Sequence, residues 1–407
     1  MLIKGIPNLV NKGYGLFFDS KWNRKSEHEK VLVQPSNLKE MRLKIGMLLA
    51  LVVWAPISTA QEKESFADQW EYVGTAVEEP GYTIWGTSPI WGDDGKVHLF
   101  AARWPCELRV DPGWRTHSEI AHYVGDSPGG PFVFSDLAMK GDIEADQERK
   151  AHPDRVIDKT EPAKGYAPHN PTIHKVGDKY ALFFIANNGI KEHPSNQYIC
   201  LAISESLYGP WTKVGHDGVV LRTPKNKDYW NYNASNGVNN PALLQHPNGG
   251  YFLYFKSEKA RMGVAIAENL EGPYVQMPFP VTANDRNIED GYAFMYKGKF
   301  ALLTTDNFGM IQPGAGLLWT SEDGILFNTY EKGFHRINQY VDIDMDKVAV
   351  HYGNQHFGHA KFERPQVLLK DGVPQYLYTP SGINIRGDDC TVSHVLRLKN
   401  LPPSKKR

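Results

Sequence analysis

The chain has 407 residues, 41 % of them hydrophobic, and its 45 basic and 46 acidic residues leave a formal net charge of −1. That balance creates no field to gather nucleic acid or a lipid surface, and three cysteines are too few for a disulfide framework or a cysteine-built zinc centre. Aromatic residues reach 12 %, with 10 Trp and 20 Tyr, which suits strand cores and flat binding platforms alike.

Residues 1–40 are polar and basic without strong periodicity and read as a non-native or disordered extension. Met41-Arg42-Leu43-Lys44 then forms a basic start, Ile45 to Trp54 is apolar, and Ser58-Thr59-Ala60 places small residues where a signal peptidase cuts. The apolar run is short for a bilayer span. Residues 41–60 are therefore expected to be a signal peptide, with Met41 the true start and a secreted or periplasmic product beginning near Gln61. A membrane anchor with a cytoplasmic tail is the alternative. Residues 61–407 are expected to form one domain.

From Gln69 onward one design recurs five times: a polar pair, usually a proline, a Gly-bearing turn, and an alternating aromatic and aliphatic strand. The copies begin at Thr87-Ser88-Pro89, His169-Asn170-Pro171, Asn239-Asn240-Pro241, Glu289-Asp290-Gly291 and Glu363-Arg364-Pro365. The turns DDGK, VGDK, PNGG, YKGK and KDGV between strand-forming runs predict hairpins. Each of the first four hairpins is followed by an apolar strand, a turn ending in Gly-Pro or Asp-Gly, and an aromatic-led strand. Two hairpins make a four-stranded blade, and five blades predict an all-β, five-bladed β-propeller. The fifth copy has only TVSHVLRLK after its hairpin, so the segment Gln69 to Gly74 is expected to supply the missing strand and close the ring.

In a propeller the innermost strands start near the central channel, so the repeated polar pairs should converge on one face. One column reads Thr87, His169, Asn239, Glu289 and Glu363, and the next Ser88, Asn170, Asn240, Asp290 and Arg364. Packing alone does not demand charge and imidazole at matching places in different blades, which makes this rim the candidate ligand site. Asp93 and Asp94 fall in the WGDDGK turn and read as turn formers. Arg103 is expected to reach an anionic group of a ligand. Trp85, Trp91, Trp104 and Trp114 around the first blade, and Trp230 in the long loop before the third, are expected to stack on it, whereas Trp211 and Tyr274 fit outer-strand packing. Lys140 to Gly165 is charged and turn-rich and reads as a solvated insertion. His351, His356 and His359 gather before the fifth hairpin without a helix to align them, and no metal site is assigned. Cys200, inside YICLAIS, reads as a buried small hydrophobe, and a Cys106–Cys390 bridge would suit an oxidising compartment.

The hairpin and Gly-Pro-aromatic pattern, with SLYGPW, NLEGPY and IEDGY as its strongest elements, resembles the five-bladed propellers of glycoside hydrolase family 43, the arabinanase and β-xylosidase type, and their relatives. The resemblance covers about Gln69 to Lys399. It implies an Asp before the first-blade proline as general base, a second Asp that orients and tunes, and a Glu in a Glu-Gly-Pro segment as general acid. Carried over by position, the acid is Glu289, while Ser88 stands at the first-blade base position and Asn240 at the third-blade position. Since neither replacement can serve as a carboxylate base, Glu363 or Asp290 is expected to take that role. His169, Asn170, Asn239, Asn240, Ser88, Arg103, Arg364, Trp85 and Trp230 are expected to bind substrate.

The resulting expectation is a secreted glycoside hydrolase with a polysaccharide or oligosaccharide of plant or algal origin as substrate. Long loops between repeats would wall off one end of the channel, which favours exo action. No cofactor is expected, although the central channel leaves room for a structural ion. Neither nucleic acid nor a stable membrane partner is expected, and oligomeric state is open. Two alternatives stand beside this reading: a carbohydrate-binding propeller without catalysis, and a glycoside phosphorylase.

Overall fold

The computed structural model describes residues 64–108, 113–141, 167–187, 197–215, 217–342, 361–381 and 391–401. Strand β1 (Trp70–Val77) comes first in sequence but belongs to the last sheet. Blade one holds β2 (Tyr82–Trp91), β3 (Val97–Pro105), β4 (Glu119–Gly125) and β5 (Val133–Met139). Blade two holds β6 (Ala167–Val176), β7 (Lys179–Asn187) and β8 (Gln197–Ser204), with β9 (Thr212–Lys213) and β10 (Val219–Leu221) both paired to β8. Blade three is β11 (Asn239–Gln245), β12 (Tyr251–Lys256), β13 (Met262–Ala267) and β14 (Val275–Gln276). Blade four is β15 (Ile288–Tyr296), β16 (Lys299–Asp306), β17 (Ala315–Ser321) and β18 (Thr329–Phe334). Blade five is β19 (Gln366–Lys370), β20 (Val373–Ser381), β21 (Val392–Leu398) and β1. The chain is a five-bladed β-propeller, with the hairpins where the turn chemistry puts them. Lys297-Gly298 and Asp371-Gly372 illustrate why: both residues of each two-residue turn have positive φ, as the tight turns that match strand twist require.

The ring closes through the N-terminal strand. β1 runs antiparallel to β21, from Trp70 opposite Leu398 to Val77 opposite Ser393. Trp70 is buried, meets Phe66 edge-on at 5.3 Å, and donates its indole N–H to the Gly333 carbonyl of blade four at 3.1 Å. One apolar core fills each of the five gaps between neighbouring blades, including a fourth-to-fifth core around Phe294, Leu318, Leu377 and Leu396 and a fifth-to-first core around Leu99, Tyr123, Tyr378 and Val395. Each fully buried large apolar side chain contributes roughly 1.5–3 kcal/mol, so stability rests on blade-to-blade packing and not on any single sheet.

Some expectations fall outside the described residues: the signal segment, almost all of the charged insertion, His351, His356 and His359, and Cys390. Cys106 is disulfide-bonded. Cys200 is a buried free thiol whose pKa burial pushes up to about 12. Asp93 and Asp94 are turn residues, the first held by Lys175 and Tyr180 and the second by His98 and the Lys96 amide. At the inner end of blade four, the buried Asp306 carboxylate accepts four backbone N–H bonds at 2.8 Å, from Gly309, Met310, Ile311 and Gln312, and so fixes the loop after β16. Among the described residues no helix is long and apolar enough to cross a membrane.

Candidate active site

A β-bulge recurs at the hub end of every inner strand and sets the direction of the site residues. Trp85 pairs with Ala102 and Ser88 with Phe100, so three steps along β2 match two along β3. The same shift follows His169, Asn239 and Glu289 in blades two to four. In blade five the Glu363 amide donates to the Pro380 carbonyl, and Gln366 pairs with Tyr378. The residue after each of these has positive φ: Gly86 at 59°, Asn170 at 51°, Asn240 at 52°, Asp290 at 61° and Arg364 at 44°. Gly, Asn and Asp tolerate that conformation, whereas an Arg there is held by its surroundings.

This register corrects the first blade. Its members of the two columns are Trp85 and Gly86, not Thr87 and Ser88. Ser88 lies two residues past the bulge, fully buried, where its hydroxyl accepts the Ile173 amide. The first-blade counterpart of Asn170, Asn240, Asp290 and Arg364 is therefore a glycine. A Cβ on Gly86 would lie 3.1 Å from Arg364 Cγ and 3.3 Å from Asn170 Oδ1, so the Arg364 side chain fills the space that a first-blade side chain would enter.

The second column forms a closed polar floor. Asn170 Nδ2 donates to Asn240 Oδ1 at 2.7 Å, Asn240 Nδ2 donates to Asp290 Oδ1 at 2.7 Å, and Arg364 Nη1 stands 3.8 Å from the same oxygen. Arg364 Nη2 completes the circuit by donating to the Asn170 carbonyl at 3.0 Å. Burial, reinforced by the neighbouring Glu289 charge, pushes the Asp290 pKa up to about 7 against the pull of Arg364 and Lys256. Burial also draws the Arg364 pKa down to about 10, with Asp290 opposing it. Desolvation thus outweighs pairing for both partners, as expected when two charges are held together out of water without a direct hydrogen bond.

Above this floor lies a cavity of about 200 Å³, lined by Trp85, Trp104, Trp114, Arg115, His169, Asn170, Ile185, Gln197, Asn236, Asn239, Asn240, Lys256, Glu289 and Asp290. A helical turn, Gly113–Thr116, carries Trp114 and Arg115, and the Arg115 guanidinium lies 4.0 Å over the Trp114 ring. His169 sits between Trp104 and Trp114, at 5.5 and 5.2 Å between ring centres, and its Nδ1 meets the Ser118 hydroxyl at 3.0 Å. Burial first, then the Arg364 and Arg115 charges, hold its pKa well below the usual imidazole value, so it is neutral. Asn239 Nδ2 donates to Gln197 Oε1 at 2.6 Å, while its buried Oδ1 has no hydrogen-bond partner among the described residues. Glu289 is one-third exposed, with Oε1 accepting from Lys256 Nζ at 2.6 Å. Two carboxyl groups, a neutral imidazole, amides and three indoles thus share one small chamber. That set can hold a polyhydroxyl ring by stacking and hydrogen bonds and can move protons at its edge.

Seven of the proposed site residues meet here by direct lining and two-column geometry: Trp85, His169, Asn170, Asn239, Asn240, Glu289 and Asp290. Arg364 lies beneath them in the floor. Glu363 occupies the matching position of blade five, almost buried, with an oxygen 3.9 Å from Lys361 Nζ, but it is not part of this lining. Arg103 is committed elsewhere, clamped by Glu79 at 2.6 Å and Glu119 at 2.9 Å between the Tyr82 and Phe134 rings, which corrects its expected role toward an anionic group. Trp230 stacks near Phe255 within the core between blades two and three, and Trp91 packs in the fifth-to-first core; neither lines the cavity. Lys256 is the principal residue that sequence reading missed. It pairs across the sheet with Asn239, where the other blades place Ala102, Ile185, Thr305 and Pro380, and a lone cation in that column was the available signal. Among the described residues no group of three or more His, Cys, Asp or Glu is arranged to hold a metal ion.

No family model matches the sequence, and no curated relative does. Solved structures are similar to it over most of the chain. One is Zg3597, a family 117 glycoside hydrolase from the marine bacterium Zobellia galactanivorans, at 16 % identity and TM-score 0.53, covering 81 % of this chain and 90 % of that one. The fold is that of the five-bladed glycoside hydrolase propellers. A GH43_1 enzyme from Xanthomonas citri matches at 11 % identity and TM-score 0.50, covering 80 % and 90 %. CoXyl43, a GH43 β-xylosidase/α-arabinofuranosidase from a compost metagenome in complex with xylotriose, matches at 12 % identity and TM-score 0.50, covering 81 % and 93 %. At these identities the likeness is one of architecture, and the chemistry rests on the cavity itself.

Proposed function

We propose that the protein is a glycoside hydrolase, acting outside the cytoplasm on a plant or algal polysaccharide or its oligosaccharides, with the hub cavity receiving one terminal sugar. The observation that carries this reading is Glu289 standing beside Asp290 on the wall of a chamber that also presents indoles, an imidazole and amides. A cavity of about 200 Å³ admits roughly one sugar ring, which favours exo action. Trp85 and Trp114 supply apolar faces for the ring's C–H surfaces, with the buried Trp104 behind them, and Asn239, Asn236 and Gln197 supply hydrogen bonds to its hydroxyls.

In this reading Glu289 and Asp290 are the two carboxyl groups that hydrolysis requires, one delivering a proton to the departing glycosidic oxygen while the other acts as base. Lys256 orients Glu289 through its bond to Oε1. The Asp290 pKa of about 7 places one limb of the pH–activity profile near that value. Gly86, which brings no side chain to the floor from blade one, favours a second reading, a propeller that binds saccharide without cleaving it. Incubating the protein and Glu289→Gln with a panel of plant and algal oligosaccharides separates the two. Product release by the wild type that falls at least about 100-fold in the variant supports hydrolysis. Binding without product supports the second reading, and undiminished activity in the variant removes Glu289 from the mechanism.

A further inference from the structure

Blade one carries a continuous chain of hydrogen bonds remote from the cavity lining. His98 Nε2 lies 3.1 and 3.2 Å from the two Asp94 oxygens, His98 Nδ1 lies 2.8 Å from His122 Nε2, and His122 Nδ1 lies 2.9 Å from Asp136 Oδ2. Both imidazoles are fully buried, while the two carboxylates are about a third exposed. The two imidazole planes lie within 15° of each other, and Phe100 stacks on His122 at 4.7 Å. Tyr208, from the Gly-Pro turn of blade two, stands steeply to both imidazoles with ring centres 5.3 Å apart, and donates its hydroxyl to Asp94 Oδ2 at 3.3 Å.

Counting protons decides the state of this chain. A carboxylate only accepts, so the ring nitrogens facing Asp94 and Asp136 must each carry a hydrogen. The remaining two nitrogens face each other at 2.8 Å and need one hydrogen between them. Three protons on four ring nitrogens is one more than two neutral histidines hold and one fewer than two charged ones.

We propose that His98 and His122 share this one excess proton, a single imidazolium charge held between Asp94 and Asp136, and that it makes the contact between blade one and the Tyr208 turn of blade two a pH-sensitive clamp. Losing the proton sets two lone pairs against each other in a buried site, and gaining a fourth sets two N–H groups and two positive charges against each other. The clamp therefore holds best at intermediate pH and loosens in both directions. Neighbouring charges are accounted for. Lys96 is paired with Asp126 at 3.3 Å, Asp93 is held by Lys175 and Tyr180 of blade two, and the Ser135 hydroxyl donates to Asp136 at 2.7 Å. Burial lowers the His122 pKa, and Asp136 and Asp94 oppose that lowering.

Neutron diffraction from wild-type crystals at about pH 7 counts the hydrogens directly. Three deuterons on the four ring nitrogens are expected, and either two or four overturn the proposal. In solution, the doubly substituted His98→Gln, His122→Gln protein can pair two amides without an excess proton. Its Tm deficit relative to wild type is expected to be largest near neutral pH and to shrink at about pH 5 and about pH 9.5. A deficit constant with pH overturns the clamp even where the deuteron count is three.

Discussion

Replacing Asp290 with Asn tests the electrostatics of the hub. The amide oxygen can still accept the Asn240 bond, so the substitution removes charge and little else. Burial and Glu289 raise the Asp290 pKa from the ordinary 3.8 to about 7, which means the folded protein binds this proton more tightly than the unfolded chain does. Stability from this group is therefore complete below about pH 4, is lost as pH rises toward 7, and changes little above it. The loss is on the order of 1–2 kcal/mol at pH 5 and on the order of 4 kcal/mol at pH 8. The substituted amide does not titrate, so the stability of Asp290→Asn relative to wild type should improve by about 3 kcal/mol between those two pH values. For a domain of this size that is roughly 4 °C in Tm. The buried His169 and His174 titrate in the opposite sense, but they are common to both proteins and cancel in the difference. Thermal unfolding followed by near-ultraviolet circular dichroism from pH 5 to 8 measures it. A Tm difference that is flat with pH, or that moves against the variant as pH rises, would refute the claim that desolvation outweighs the Arg364 attraction.

Two further predictions address closure and the floor. Trp70→Ala should cost about 3–5 kcal/mol, because it removes a buried indole from the seam between blades four and five and the bond to Gly333. Unfolding should stay a single transition, and separate melting of blade five in calorimetry would contradict closure by β1. Gly86→Ala should cost about 1–3 kcal/mol, since the new methyl meets Arg364 Cγ at 3.1 Å and positive φ disfavours it. Combined with Arg364→Ala, its added cost should shrink by at least about 0.5 kcal/mol in a double-mutant cycle read by urea unfolding, and strict additivity would show that the two side chains do not compete for space.

The ring was legible because its signals are local and repeated: Gly turns between alternating strands, five times, with one strand missing at the end and a matching strand at Gln69 to Gly74. The site was legible only where proline and bulge keep a constant distance. In blades two, three and five the proline follows the bulge directly, and in blade four Gly291 takes its place, but in blade one Pro89 lies three residues past Gly86. Proline was the wrong ruler there. The better one was the conformation itself, because a positive-φ bulge selects Gly, Asn or Asp, and Gly86 fits that series while Ser88 does not. Arg103 and Trp230 were misread because a side chain's direction depends on partners distant in sequence, Glu79 and Glu119 for one and Phe255 for the other. Lys256 escaped notice because it belongs to the second strand of its hairpin, outside the column where polar residues were sought.

The central claim, that the hub cavity holds a saccharide end at Glu289, is tested most directly by the crystal structure of Glu289→Gln with an oligosaccharide that the wild type binds or cleaves. The account predicts a terminal sugar ring among Trp85, Trp104 and Trp114, with its glycosidic oxygen within hydrogen-bond distance of the substituted side chain. A ligand bound on an outer blade surface, with the hub cavity empty of sugar, would contradict it.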